Sequence, residues 1–300
     1  MTVCTSVGAL TPCEQHDGTW YKRDDLFIPF DDVPLSGGKV RQAMELLRPR
    51  VGQIRSRFGG VVLTATGVHS PQGLIIARVA HEYGLRTVIF VGATTEARAL
   101  RHQMLSTATR FGASLDCSAR VAYESALTKS IQRWRAAHDH HGFHVKFGIN
   151  LRDAPGAIIG STVGQARNVP AEVTTVVIPV GAGITAAGIL LGLRKHCPQV
   201  RRIVLVQIAG YDRKAEIDAV AQGLPYEYHA ISRYPYGHEL RRSVTSSFTL
   251  DPIYEAKAHQ YMCEVLRLSG PSVLYWVIGN SAPVRASAAR HAGVVPKAPG

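Results

Sequence analysis

The chain has 300 residues, 46% of them hydrophobic and 19% charged, enough apolar material for one large or two moderate domains and too apolar for a disordered chain. Its formal net charge is +12, mostly through arginine, which favours polyanionic partners by counterion release and equally suits a generally basic enzyme. No apolar run approaches the roughly 20 residues of a membrane helix, and no basic-then-apolar export signal opens the chain. Cys4, Cys13, Cys117, Cys197 and Cys263 are scattered, without a CxxC pair. They fit a reducing compartment, so a cytoplasmic location without membrane association is the expectation.

In chain order, Trp20 to Phe30 reads as an extended segment. Leu35-Ser36-Gly37-Gly38-Lys39-Val40-Arg41 follows and opens a run with Val40, Ala43, Met44 and Leu47 at helical spacing. A lysine at a helix start, held away from water, loses its proton readily and becomes the nucleophilic amine that Schiff-base chemistry needs. An isolated Gly-Gly-Lys reads rather as a loop glycine pair followed by a solvated lysine, and the residues around Gly37-Gly38-Lys39 change that. Val61–Thr66 is a β-type run, followed by Ser70-Pro71-Gln72-Gly73 and a helical run from Leu74 to Tyr83. A strand at Thr87–Val91 and a helix from about Glu96 to Phe111 come next. Strands and helices alternating in this way indicate βαβ units and a parallel sheet. Val121–His138 has helical character. The histidines after it (His138, His140, His141, His144) are irregularly spaced and interrupted by Gly142, so they read as a polar helix end and loop, with no metal site. Val145 to Asn150 reads as a crossover between two domains.

The second half restarts the rhythm with Val173–Val180, a turn Gly181-Ala182-Gly183-Ile184-Thr185-Ala186-Ala187-Gly188, an apolar helix to about Leu193 and a strand at Arg202–Ile208. A strand, a glycine turn and a helix together cradle a phosphate through exposed N–H groups. The turn also passes the GxGxxA dinucleotide pattern, which expects an acidic residue about 20 residues on. Gln207 and Ile208 stand there and Asp212 comes late, so nucleotide binding is the weaker alternative. Asp251-Pro252-Ile253-Tyr254-Glu255 begins another helix with ordinary capping residues, and Ser272–Ile278 reads as a buried strand.

Five stretches in this order resemble fold type II (tryptophan-synthase-β-like) pyridoxal-phosphate enzymes, and among them the branch of aminocyclopropane-carboxylate deaminase and D-cysteine desulfhydrase. They are YKRDDL, SGGKVRQAMELL, SPQG, GAGITAAG and DPIYEAKA, the last being the most specific. The resemblance implies an α/β fold of two open, twisted, mostly parallel sheets flanked by helices, with pyridoxal 5′-phosphate between the domains. The larger domain would comprise residues 1–48 and 151–300, the smaller 49–150, and the site would close by domain motion. A homodimer is implied as well. Lys39 would carry the cofactor as a Schiff base and move protons at the substrate carbon. Gly181, Ala182, Gly183, Ile184 and Thr185 would hold the phosphate. Glu255 would sit by the ring nitrogen and support a quinonoid. Ser70 and Gln72 would face the substrate carboxylate, and Tyr236 and Tyr254 would flank the reacting carbon.

The departures from that pattern bear on the substrate. Gly38 stands where the family has Asn. Pro71 removes a backbone N–H that the family offers to the substrate carboxylate. The segment between Tyr236 and Asp251 is shortened. Three readings follow. One is a lyase or deaminase acting on a small free amino acid, which the resemblance favours. Another is decarboxylation, or a related modification, of an amino acid attached to a DNA base, as in bacteriophage thymidine hypermodification; this suits the basic charge and the lost donor. A non-catalytic homologue that binds cofactor or nucleic acid is the last, opposed by the presence of Lys39, Tyr254 and Glu255.

Overall fold

The computed structural model of the protein describes residues 4–149, 155–208, 212–221, 223–232, 237–246 and 248–291. They fall into two compact units, Met1–Gln42 with Ala154–Ala282, and Ala43–Asp153 with Pro283–Gly300. Tyr236 and Asn150 lie outside the described residues.

The first unit is built on a six-stranded sheet in the spatial order Cys13–His16, Thr19–Arg23, Val273–Val277, Thr175–Val180, Arg202–Gln207 and Glu227–Ala230. The first pair is antiparallel and every other pairing is parallel. The central strands are nearly continuous apolar runs because both of their faces are covered. Val176, Ile178, Leu205, Leu274 and Trp276 point to one side, where Ile189, Leu190 and Leu193 of the Ile184–His196 helix meet them. Val177, Val204, Tyr275 and Val277 point to the other, against Phe248, Ala258 and Met262. A Cβ on Gly188 would lie 2.9 Å from Thr162 Cβ. The closing glycine of the GAGITAAG stretch is thus a packing residue, letting the Pro155–Gly164 helix approach.

The second unit holds a four-stranded parallel sheet in the order Ala113–Asp116, Arg86–Phe90, Val61–Ala65 and Phe143–Val145. Val61, Leu63, Ala65 and Phe90 pack with Leu127 and Ile131 of the Glu124–Ala137 helix. His138 ends that helix, its ring stacked on Trp134 at 3.9 Å. The helix expected from about Glu96 to Phe111 is two helices, Glu96–Ala99 and Gln103–Arg110, with His102 extended between them. An unbroken helix in phase with buried Ala99 would turn His102, Gln103 and Ser106 inward. The break brings Met104, Leu105 and Ala108 in instead.

The fold class is the expected one, α/β with mixed and parallel sheets between helices. No helix among the described residues is long and apolar enough to cross a membrane.

Candidate active site

Lys39 lies in the first turn of the Gly38–Leu47 helix. Two glycines fix that turn. Gly37 has φ of 99°, and a side chain there would collide with the Ile278 carbonyl oxygen; Gly38 N–H donates to the same oxygen at 2.9 Å. The lysine helix is therefore latched to the end of the central Val273–Val277 strand. Lys39 is half-buried by surface area, yet its amine is surrounded closely enough that burial, followed by the charge of Arg213, lowers its pKa to about 8, while Glu255 pulls the other way.

The glycine turn follows the Thr175–Val180 strand. Gly183 has φ of 87° and precedes the Ile184–His196 helix, so the backbone takes up the left-handed geometry that lets successive N–H groups converge. Gly181 is pressed on its open side by Tyr254, since a Cβ there would be 3.2 Å from the tyrosine Cε1. Its carbonyl accepts from Gln207 Nε2 at 3.2 Å. Thr185 Oγ1 accepts from Gln42 Nε2 at 3.1 Å, leaving the hydroxyl proton for an acceptor at the turn.

Tyr254 and Glu255 stand at the start of the Glu255–Glu264 helix, held by Asp251. One Asp251 oxygen caps the N–H groups of Ile253 and Tyr254 at 2.9 and 3.0 Å. The other accepts from the backbone and the hydroxyl of Ser281. Glu255 is 4% exposed and accepts the Gly279 N–H at 3.2 Å. Burial first, then the neighbouring Asp251 charge, raise its carboxyl well above the ordinary range.

On the second unit, the Ser70 hydroxyl accepts from Gln72 N–H at 3.3 Å in the turn before the Gln72–Glu82 helix. The Gln72 amide donates to Thr64 Oγ1 and the Lys146 carbonyl and accepts from Gly148 N–H. Those bonds tie the turn to the 146–148 segment. Pro71 sits between them without a donor.

The first unit thus brings Lys39, the turn Gly181–Thr185, Tyr254 and Glu255 together. Sequence reasoning passed over Gln42, Gln207, Asp251 and Arg213. Asp251 was legible as a cap, and Gln42 lies inside the SGGKVRQAMELL stretch without its role being marked there; Gln42 and Gln207 reach their partners across 143 and 26 residues of chain, and Arg213 is brought beside Gly183 by the fold. The chemistry of this donor set fits pyridoxal phosphate. The left-handed glycine turn offers N–H groups and a hydroxyl to a phosphate. A lysine of lowered basicity meets an aldehyde. A buried carboxyl, raised for want of solvent, suits the protonated nitrogen of a pyridine ring.

Comparison with known proteins agrees. A family model described as pyridoxal-phosphate dependent enzyme matches residues 2–246. The O-seryl-dTMP PLP-dependent decarboxylase of Salmonella phage ViI is 24% identical over 269 residues, covering 80% of this chain, which spans 62% of that protein's length. Among solved structures, an ACC deaminase homologue superposes with a TM-score of 0.75 at 17% identity, covering 98% of this chain and 96% of that one. O-ureido-L-serine synthase does so with 0.66 at 14% identity, covering 96% and 94%. The O-acetylserine dependent cystathionine beta-synthase from Helicobacter pylori gives 0.64 at 15%, covering 96% and 98%. At these identities the solved structures speak for the fold, which is fold type II; with the family match across most of the sequence, the chain belongs to the pyridoxal-phosphate dependent enzymes, and pyridoxal 5′-phosphate is its cofactor.

Proposed function

We propose that the chain is a decarboxylase acting on an amino acid carried by a thymine nucleotide or by the corresponding base in DNA. The observation that carries this reading is the Ser70-Pro71-Gln72 turn. Its middle residue has no N–H, and both Gln72 amide hydrogens are committed to protein oxygens. A turn with so few donors grips a carboxylate weakly. Weak grip suits a carboxylate that departs, because binding a group tightly in the ground state does not lower the barrier to its loss. The similarity to a phage enzyme named for a seryl group on dTMP supports the substrate class.

Bound at the site, the cofactor supplies an electron-poor ring that accepts the electron pair released at the amine-bearing carbon. The rest is assigned to the chain. Lys39, with a pKa of about 8, is neutral often enough near pH 7 to act as a nucleophile, and is then placed to carry a proton. The bond between the amine-bearing carbon and the carboxylate breaks, carbon dioxide leaves, and a proton from the lysine ammonium takes the vacated position. Glu255 keeps the ring nitrogen protonated. Tyr254, beside Gly181, closes one side of the turn, and Thr185 and the turn N–H groups bind phosphate. The Ser70 hydroxyl orients the carboxylate toward departure.

The second reading, a lyase or deaminase on a free amino acid, is favoured by the likeness of DPIYEAKA and SGGKVRQAMELL to that branch. The two separate by product. The loaded protein is given O-seryl-dTMP, an oligonucleotide bearing the same group, D-cysteine and aminocyclopropane carboxylate. Carbon dioxide and a decarboxylated amine from the nucleotide substrates are expected. Ammonia and a keto acid from the free amino acids, without carbon dioxide from the nucleotides, would overturn the proposal.

A further inference from the structure

The second unit carries a basic groove that none of the five motif stretches reaches. It is open, has a volume of about 640 Å³, and is lined by the 118–121 loop on one side and the exposed face of the Glu124–Ala137 helix on the other. The loop is firmly placed. Ala93 N–H donates to the Ala119 carbonyl at 3.0 Å. A Cβ on Gly92 would lie 2.2 Å from the Val121 carbonyl oxygen, so only glycine lets the loop come this close. Ala119 is buried in the core with Leu127 and Ile131, and the next side chain, Arg120, is exposed.

Arg120, Lys129 and Arg133 line the groove together with Ser118, Ser130 and Gln132, and among the described residues that line it none is acidic. Lys129 and Arg133 are one helical turn apart, about 6 Å along the axis. Arg133 Nη2 donates to Ser130 Oγ at 3.0 Å, which steadies the guanidinium. Among the described residues no carboxylate forms an ion pair with any of the three cations. Asp116 Oδ1 accepts the Ser118 N–H at 2.9 Å instead, and Glu124 stands two residues before Ala126, about 200° round the helix from it.

Two features here work against the helix. Like charges four residues apart repel, whereas Arg78–Glu82 and Lys214–Asp218 use the same spacing for opposite charges. Tyr123 occupies the N-cap, where Ser, Thr, Asp or Asn would bond the first N–H groups. It makes no capping bond and is 62% exposed. An aromatic ring held in solvent next to a cationic groove offers little to the fold. It suits a ligand that carries both repeated negative charge and flat rings.

We propose that the groove binds an unpaired strand of DNA, with backbone phosphates on Arg120, Lys129 and Arg133 and a base stacked on Tyr123. A cationic groove that tracks the backbone, with an aromatic face for a base, is how single strands are held. The strand is unpaired because a base stacked inside a duplex has no free face for the tyrosine. The choice of DNA among polyanions rests on the function proposed above.

The test is binding of a fluorescently labelled, unmodified thymidine oligonucleotide to the full chain, followed by anisotropy across a range of salt. It needs neither cofactor nor turnover. Replacing Arg120, Lys129 and Arg133 together by Gln should weaken binding by about tenfold to a hundredfold near 0.1 M salt. The slope of log affinity against log salt should fall by about two, three contacts at about 0.7 each. A control variant with Arg194, Lys195 and Arg201 replaced by Gln loses the same charge from exposed positions of the first unit, and should keep the wild-type slope. Tyr123→Ala should weaken binding by about fivefold to a hundredfold and leave the slope unchanged, because stacking releases no counterions. An unchanged slope in the groove variant would overturn the proposal, as would an equal loss in the control, which would assign the binding to net charge alone. Should the groove variant fail to fold, unchanged affinity in Tyr123→Ala overturns it. A chain that binds the strand through the groove yet releases no carbon dioxide from O-seryl-dTMP sinks the function alone. One that decarboxylates the mononucleotide while its groove variant binds DNA like wild type sinks the groove alone.

Discussion

Lys39 and Glu255 are perturbed in opposite senses by one cause, burial, and each perturbation is measurable. The lysine amine, brought to about 8, is neutral in about a tenth of molecules at pH 7, against fewer than about one in a thousand for an ordinary lysine. Capture of pyridoxal phosphate followed by absorbance should therefore accelerate with pH through about 8 and level off above it. An inflection in the ordinary lysine range would refute the assignment of a desolvated amine. Borohydride should remove the visible band and leave the added mass on Lys39, and Lys39→Ala should give neither band nor adduct. For Glu255 the sign runs the other way. A carboxyl whose pKa is raised in the folded state binds more protons there than when unfolded, so its contribution to stability falls as pH rises above 4.5. Cofactor-free Glu255→Gln lacks that dependence. The difference between wild type and variant in urea denaturation should grow by at most about 1.4 kcal/mol per pH unit, in favour of the variant. A difference constant with pH would show that Glu255 is ionised in the cofactor-free protein.

Among the elements, the lysine helix is the most sharply constrained. Gly37 has a left-handed φ and no room beside the Ile278 carbonyl, whereas a Cβ on Gly38 would meet Thr185 Cγ2 at an ordinary 3.5 Å. Gly37→Ala should cost at least about 2 kcal/mol in denaturation and weaken cofactor binding. Gly38→Ala should change stability by less than about 1 kcal/mol. Equal effects would mean that the latch does not set the helix start. The strands and most helices could be read from the sequence because their burial repeats at short range. Val61–Ala65 and Thr175–Val180 are apolar runs between turn residues, and Gln72–Glu82 follows a proline well placed for a helix start. The broken helix near His102 could not be read, because average helical character persists through a change of phase. In the site, residues lying in local motifs were visible. Pairings made only by the fold were hidden, even for a residue inside a motif: Gln42 of the lysine stretch meets Thr185, and Gln207 meets Gly181, across 143 and 26 residues.

For the molecule as a whole, the net charge of +12 gives a second handle on the substrate. If the amino acid is carried on DNA, binding of a modified oligonucleotide releases counterions. An interface touching about six phosphates should lose about a thousandfold in affinity between about 50 and 200 mM salt, while the mononucleotide changes far less. Equal salt dependence of the two would make the excess positive charge irrelevant to recognition. The hydrogen bond between Gly38 and the Ile278 carbonyl also bears on biosynthesis. Lys39 leaves the ribosome well before its seat. At about 5–20 residues per second, the roughly 240 residues between Gly38 and Ile278 take about 12–48 s to make. During that interval the future nucleophile is an ordinary solvated, protonated lysine that nothing distinguishes from its neighbours. Cofactor capture thus waits until Ile278 has been made, and a chain broken off before Ile278 carries the reactive residue without the means to make it reactive.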